Sequence, residues 1–359
     1  MSEIAFVLLA LALAGAGYQL IGRARDAARL PPPGRLVDIG NGRRLHIHCA
    51  GARRAGFQPA AVIFEAGIAA SSLSWSRVQP RVAGFAHACS YDRAGLAWSD
   101  AIPGAVSASS LAAQLHALLT ASAIPPPYVL VGHSYGSFVV RAFARANRAE
   151  VAGMVLVDPI YPSEWLAMTP GQRRRLSGGV FLSRVGALLS AVGFVRLCLS
   201  LLAAGSTAVP SRVSRMFGSD AAQTLNRLVG EVQKLPREAW PAVAAHWSQP
   251  RCFLSMARHL AGLPRSAREI AAMDDLGDLP LVVITAASQR EACRAEHARI
   301  AALSSRGRHV IASVGGHWIH LDEPELIAQA VRDVMELSRP DAIRSRSAAL
   351  QTPRGPQGS

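Results

Sequence analysis

The stretch Tyr128–Gly136, Tyr-Val-Leu-Val-Gly-His-Ser-Tyr-Gly, constrains this chain more than any other. An apolar run enters Gly-His-Ser-Tyr-Gly, and Phe138, Val139, Ala142 and Phe143 come next at helical spacing. Strand, tight turn and helix in that order are the setting of a G-x-S-x-G nucleophile elbow. In such a turn the serine is held at positive φ, which pushes its Oγ out above the sheet. Gly132 and Gly136 then lie where strand meets helix and where a Cβ would collide. Ser134 is therefore the candidate nucleophile.

The surrounding segments supply a sheet for that strand. Leu36–Ile39 and Arg43–Cys49 are joined by Asn41-Gly42, a strong hairpin signal. Ala61–Glu65, His87–Tyr91 and Gly153–Asp158 are short apolar runs of the kind buried in parallel sheets. Ser71–Val82 and Ser109–Ala121 are expected helices between them. Strand pattern returns at Leu281–Thr285 and His309–Val314, and Pro324–Leu337 reads as a final helix with Asp322 and Glu323 at its positive end. This alternation predicts an α/β fold with a mostly parallel sheet.

From Tyr161 to about Leu276 the pattern is helical throughout. Val180–Ala204 is long and apolar enough to raise the question of a membrane span, but Arg184 and Arg196 interrupt it at a cost of several kcal/mol. Helices forming a lid over a pocket fit better. The predicted organisation is an anchor over 1–22, a linker over 23–34, core over 35–159, a helical lid over 160–276, core again over 277–338, and a disordered polar tail over 339–359. The anchor rests on Ile4 to Ile21, which is almost wholly apolar and just long enough to cross a bilayer. A signal peptide would carry positive charge ahead of the apolar run. Here only Glu3 precedes it, while Arg23, Arg25 and Arg29 come after. The positive-inside rule then puts the domain in the cytoplasm, with export as the alternative.

The chain carries 38 basic against 24 acidic residues. No Lys/Arg-rich run with interleaved aromatics is present, so the excess reads as a solvated surface or an attraction to anionic membrane, and no nucleic-acid partner is expected. The five cysteines are widely spaced and odd in number, which argues against a zinc site or a disulfide framework. Cys49 and Cys89 are expected to be small buried hydrophobes. No metal and no cofactor are expected.

A serine nucleophile needs a base, and the base needs an orienting acid. His317, behind Gly315-Gly316 in the loop between the last strand and the last helix, is the candidate base, and His320 is its rival. With a neutral imidazole required, activity should fall as pH drops through a value near ~6.5. Asp158 ends the strand after the elbow helix and is the candidate acid. Glu291, six residues past Leu281–Thr285, is the alternative. Backbone N–H groups of Tyr135 and Ile68, the latter in Glu65-Ala66-Gly67-Ile68-Ala69-Ala70, are the expected oxyanion donors.

Phe64-Glu65-Ala66-Gly67, Ser90-Tyr91-Asp92-Arg93-Ala94-Gly95, Gly132-His133-Ser134-Tyr135-Gly136 and Gly316-His317 with Leu321-Asp322-Glu323-Pro324 together resemble the α/β-hydrolases of the large fold-one group, over about Arg35 to Leu337. The resemblance implies an eight-stranded, mostly parallel sheet with helices on both faces, an antiparallel first hairpin, a helical lid after the sixth strand and a Ser-His-acid triad. The chain departs from the commoner pattern in lacking Asp after the seventh strand, and some members place the acid after the sixth. Two functions remain in view. One is an esterase- or lipase-like serine hydrolase acting on a small-molecule ester with a hydrophobic group, with peptidase, thioesterase and lactonase as variants. The apolar lid residues Phe181, Leu188, Leu189, Phe194, Leu197 and Leu201 favour it as a pocket lining. The other is a non-catalytic ligand-binding or membrane scaffold protein that keeps the fold.

Overall fold

The computed structural model describes residues 3–52, 60–204, 230, 232–272 and 275–339. Its elements, in chain order, begin with helix α1 (Glu3–Arg29) and the strands β1 (Arg35–Asp38), β2 (Arg44–Ala50) and β3 (Ala61–Glu65). Next come helix α2 (Gln79–Ala83), β4 (Ala88–Tyr91), α3 (Ala108–Ala121), β5 (Tyr128–His133), α4 (Gly136–Ala146) and β6 (Val151–Val157). Helices α5 (Pro162–Leu166), α6 (Pro170–Ala191), α7 (Phe194–Ala203), α8 (Trp240–Trp247) and α9 (Pro250–Ala271) form an insertion. The chain then returns through β7 (Leu281–Thr285), α10 (Glu291–Ala301), β8 (Gly307–Ile311), α11 (Ile319–Asp322) and α12 (Pro324–Leu337).

The eight strands form one sheet in the order β1-β2-β4-β3-β5-β6-β7-β8. β2 runs antiparallel to both its neighbours, β1 and β4, and every other pair in the sheet is parallel. The hairpin turn works as its sequence requires, with Asn41 at φ 57° and Gly42 at φ 67°. β5 lies between β3 and β6 and is buried along its whole length. Its side chains alternate between two cores. Leu130 joins Leu115, Leu119, Phe138 and Phe143 on the face of α3 and α4, while Val129 and Val131 join Trp75, Val82, Val331 and Val334 on the face of α2 and α12. At about 1.5–3 kcal/mol for each large apolar side chain buried, this double-sided packing makes β5 a rigid mount for the turn at Ser134.

Several boundaries differ from the sequence reading. Ser71–Val82 is a 3₁₀ turn over Ser72–Trp75 and then the short α2, because Pro80 belongs in a first helical turn and cannot donate further along. β8 starts and ends earlier than the apolar residues suggest. α1 runs on to Arg29, so most of the expected linker is helix. The expected tail lies, from residue 340, outside the described residues.

The cysteine expectation is corrected. Cys49 and Cys89 face each other across β2 and β4 and are joined by a disulfide. Forty residues apart in sequence, they are neighbours only once those strands pair. His87 lies beside them, its ring close enough to complete a three-ligand metal site with the two sulfurs. With the sulfurs bonded to each other, neither is a thiolate.

Candidate active site

Parallel pairing aligns Glu65 with Gly132 and His133 with Val157, so the ends of β3, β5 and β6 open on one edge of the sheet. Ser134 leaves β5 at φ 52°, the left-handed conformation that the turn demands. Its N–H donates to Val157 O at 3.0 Å, and Ser137 holds its carbonyl through both backbone N–H, at 3.0 Å, and Oγ, at 2.6 Å. A Cβ on Gly132 would stand 2.8 Å from Gly136 O, and one on Gly136 would stand 2.5 Å from Glu65 O. Only glycine fits at either place.

His317 comes after β8, and its Nδ1 is 2.6 Å from Asp158 Oδ2. Asp158 itself is 1% exposed and held at φ 41°, with its N–H on Ile284 O at 2.7 Å. Burial would raise its pKa, but the bond and charge of His317, with the donors of Ala286 and Gln289, hold it below the ordinary value. Those donors are Ala286 N–H to Oδ1 at 3.0 Å and Gln289 Nε2 to Oδ2 at 2.7 Å. The segment after β7, where the commoner pattern would have an acid, thus supplies hydrogen bonds to the acid from the neighbouring strand. Gln289 was missed in the sequence. Its only signal was its place in that loop. Glu291 is exposed at the start of α10.

With Nδ1 engaged, His317 has Nε2 left for the nucleophile. Ser134 Oγ makes no hydrogen bond among the described residues. Catalytic contacts are often loose without substrate and tighten only on binding. His133 donates from Nε2 to His317 O at 2.8 Å, tying the His317 backbone to the elbow. Burial, with His320 and His317 beside it, drives the His133 pKa well down and keeps it neutral.

His320 is fully buried, with ring centroids 4.8 Å from Trp75 and 4.4 Å from His133. Neither of its nitrogens has a partner among the described residues, and burial pushes its pKa down to about 3. It packs; it does not face the edge of the sheet.

The turn after β3 closes against the elbow. A Cβ on Gly67 would be 3.5 Å from Ser134 Cβ, and Ala69 is held at φ 58°. The N–H groups of Ile68 and Tyr135 have no acceptor among the described residues. Beneath them lies an ion pair that sequence reading overlooked, although both residues stood in the quoted motifs. Arg93 Nη1 is 3.1 Å from Glu65 Oε1, both fully or nearly buried. Arg93 also donates to Gly67 O and lies over the Tyr135 ring, while Tyr91 donates to Glu65. Burial pushes Glu65 up to about 7 against the pull of Arg93 and Tyr91.

The insertion borders this edge. Ser266 Oγ on α9 meets Tyr135 OH at 3.0 Å, and the His259 ring lies tilted with its centroid 6.0 Å from that of Tyr135. Five of the six apolar residues expected to line a pocket do not do so: Phe181, Leu188, Phe194, Leu197 and Leu201 are exposed, while Leu189 is half-buried. A cavity of about 510 Å³ lined by Arg35, His48, His87 and Ile124 lies at the opposite edge of the sheet and has no part in this site.

A sequence profile of the Alpha/beta hydrolase family matches residues 45–330. An uncharacterized protein of Bacillus subtilis, YqjL, is 24% identical over 288 residues, covering 78% of this chain and 85% of that protein. Three further curated relatives match more narrowly, this chain spanning 18%, 39% and 40% of their lengths. Among solved structures, the epoxide hydrolase CorEH superposes with a TM-score of 0.61 at 15% identity, over 84% of this chain and 98% of that one. A thermophilic esterase from Thermogutta terrifontis gives 0.54 at 18%, over 85% and 98%. Likenesses at such identity speak to the fold alone.

Proposed function

Since the chain belongs to the alpha/beta hydrolase family, whose members can carry different nucleophiles, we propose from its own residues that it is a serine hydrolase working through an acyl-enzyme on carboxylic esters with a hydrophobic group. The observation that carries this reading is the 2.6 Å contact of His317 Nδ1 with a buried carboxylate that two other donors already orient.

In the proposed reaction His317 Nε2 takes the Ser134 proton as Oγ attacks the ester carbonyl. The N–H groups of Tyr135 and Ile68 meet the oxyanion, and Asp158 stabilises the imidazolium. The imidazolium then protonates the departing alkoxide. A water, activated by the same nitrogen, cleaves the acyl-enzyme and returns the proton to Ser134. A hydrophobic group is supported by Ile68, Ile160, Tyr161 and Trp165, partly buried apolar side chains in the oxyanion turn and just after Asp158. The helices α5–α9 are the proposed lid.

A fluorophosphonate probe tests the reading. It should label the wild type and fail on Ser134→Ala, and p-nitrophenyl esters of graded chain length should then rank the acyl group. A folded wild type that the probe leaves unlabelled would instead support the non-catalytic scaffold.

A further inference from the structure

α1 is docked onto the proposed lid. Gly15, Gln19, Gly22 and Asp26 form one stripe of the helix, and each meets α7, the α6–α7 corner or the residue after α8. A Cβ on Gly15 would be 2.2 Å from Val192 O, and one on Gly22 would be 2.5 Å from Arg196 Nε. Gly193, at φ 72°, turns the corner with its own Cβ position 2.5 Å from Gly15 O. Arg196 closes the joint. It pairs with Asp26 at 2.7 Å and donates to Gln19 Oε1 and Ser248 Oγ, both at 2.8 Å, while Gln19 Nε2 reaches Ser248 O at 2.8 Å. Arg196, one of the two arginines that argued against a membrane segment, is therefore paired with a carboxylate and bonded through both Nε and Nη2.

The outward faces of the joined helices are mostly apolar, with exposed Arg184 set between Phe181 and Leu188 on α6, where its long stem lets the guanidinium reach the headgroups. α6 and α7 meet at 85°. Phe181 and Leu188 lie two turns apart on α6, and Phe194, Leu197 and Leu201 share a face of α7. Leu188 is 70% exposed. On α1, Leu13, Leu20 and Ile21 face away from the joint, and Ile4 to Leu11 are exposed all round. Length then limits how α1 can meet a bilayer. The undocked part, Glu3 to Ala14, is about 18 Å long at ~1.5 Å per residue, against a hydrocarbon core of about 30 Å. The helix cannot bury its apolar run in lipid without carrying the corner in with it. Exposed Arg173, Arg174 and Arg175 at the start of α6 and Arg23, Arg25 and Arg29 on α1 suit anionic headgroups.

We propose that α1 and the α6–α7 corner enter an anionic lipid bilayer as one unit, joined through Arg196, so that the lid is seated in the membrane. Taken with the proposed ester hydrolysis, this makes membrane-resident esters the substrates the lid would admit.

The test uses the full chain in a Cys198→Ser background, with an environment-sensitive fluorophore at Leu8→Cys, Leu188→Cys, Leu197→Cys or Ile311→Cys. On phosphatidylcholine–phosphatidylglycerol vesicles the first three should shift to the blue, and Ile311→Cys, on the far edge strand, should not. Adding Arg196→Met should return the Leu188 and Leu197 probes to water while Leu8 stays embedded. Gly15→Leu separates the same bodies independently should Arg196→Met fail to give a native circular dichroism spectrum. Corner probes that stay in water while Leu8 is embedded would overturn the proposal. So would corner probes shielded equally without vesicles, as in a dimer, or ones that remain embedded after both substitutions. No readout depends on hydrolysis, so failure at Ser134 leaves this result standing.

Discussion

Asp158 is placed for its proposed role by backbone as much as by side chain. Its φ of 41° lets the carboxylate turn back to the segment after β7, where Ala286 and Gln289 fix it for His317. Asp158→Asn should lower kcat by on the order of 10⁴, as loss of the orienting carboxylate does in serine proteases, while Glu291→Gln stays within several-fold. Steady-state kinetics on a soluble ester reads both, and the reverse ranking would move the acid. His320 makes a separate case through pH. Its folded pKa of about 3 lies below the ordinary 6.5, so the unfolded chain takes up a proton that the folded one refuses. Its contribution is therefore present above about pH 6.5 and is lost progressively as pH falls toward 3. His320→Phe, which keeps an aromatic ring against Trp75, should retain ester hydrolysis. It should also recover about 2 kcal/mol of the stability lost between pH 7 and pH 5, measured by urea denaturation. A catalytically dead His320→Phe of native stability would make His320 the base in place of His317.

At the scale of elements, the proposed oxyanion turn after β3, β4 and α4 are bound together by Arg93. Its guanidinium joins Glu65, Gly67 O and the Tyr135 ring across three segments that share no local sequence. Arg93→Met should leave Glu65 buried without its counter-charge and cost about 3–5 kcal/mol in denaturant unfolding, the usual penalty for breaking a buried pair. Gly67→Val acts on the same turn differently. Its branched side chain must push against His133, whose Nδ1 would already be 3.0 Å from a Cβ. It should therefore lower kcat by about 10²–10³, the cost of an oxyanion donor, with a far smaller change in melting temperature. Equal losses of stability and activity would mean that the turn is structural only.

For the whole molecule, the disulfide bears on topology. The arginines after the apolar run suggest a cytoplasmic domain, whereas a Cys49–Cys89 bond forms and persists in oxidising compartments. We expect the bond to hold in cells and the domain to be exported. Acid-trapped protein, denatured and treated with a maleimide of large mass, should then react at Cys198, Cys252 and Cys293 only. Reaction at all five cysteines would return the domain to the cytoplasm.

The sequence alone settles whatever depends on contiguous residues. Hydrophobic period and turn chemistry mark the strands, the hairpin at Asn41-Gly42 and the elbow, because a strand entering Gly-His-Ser-Tyr-Gly has few other ways to meet its helix. Every pairing between distant segments was decided by the tertiary structure. Cys49 found Cys89 because β2 lies beside β4, and Glu65 found Arg93 because β3 lies beside β4. Gln289 reached Asp158 because β7 lies beside β6. Apolar residues of α6 and α7 could be read as buried from their composition, but which way they face was settled by the docking of α1, since Arg196 must meet Asp26 and Gln19 and that rotation leaves Phe194, Leu197 and Leu201 exposed.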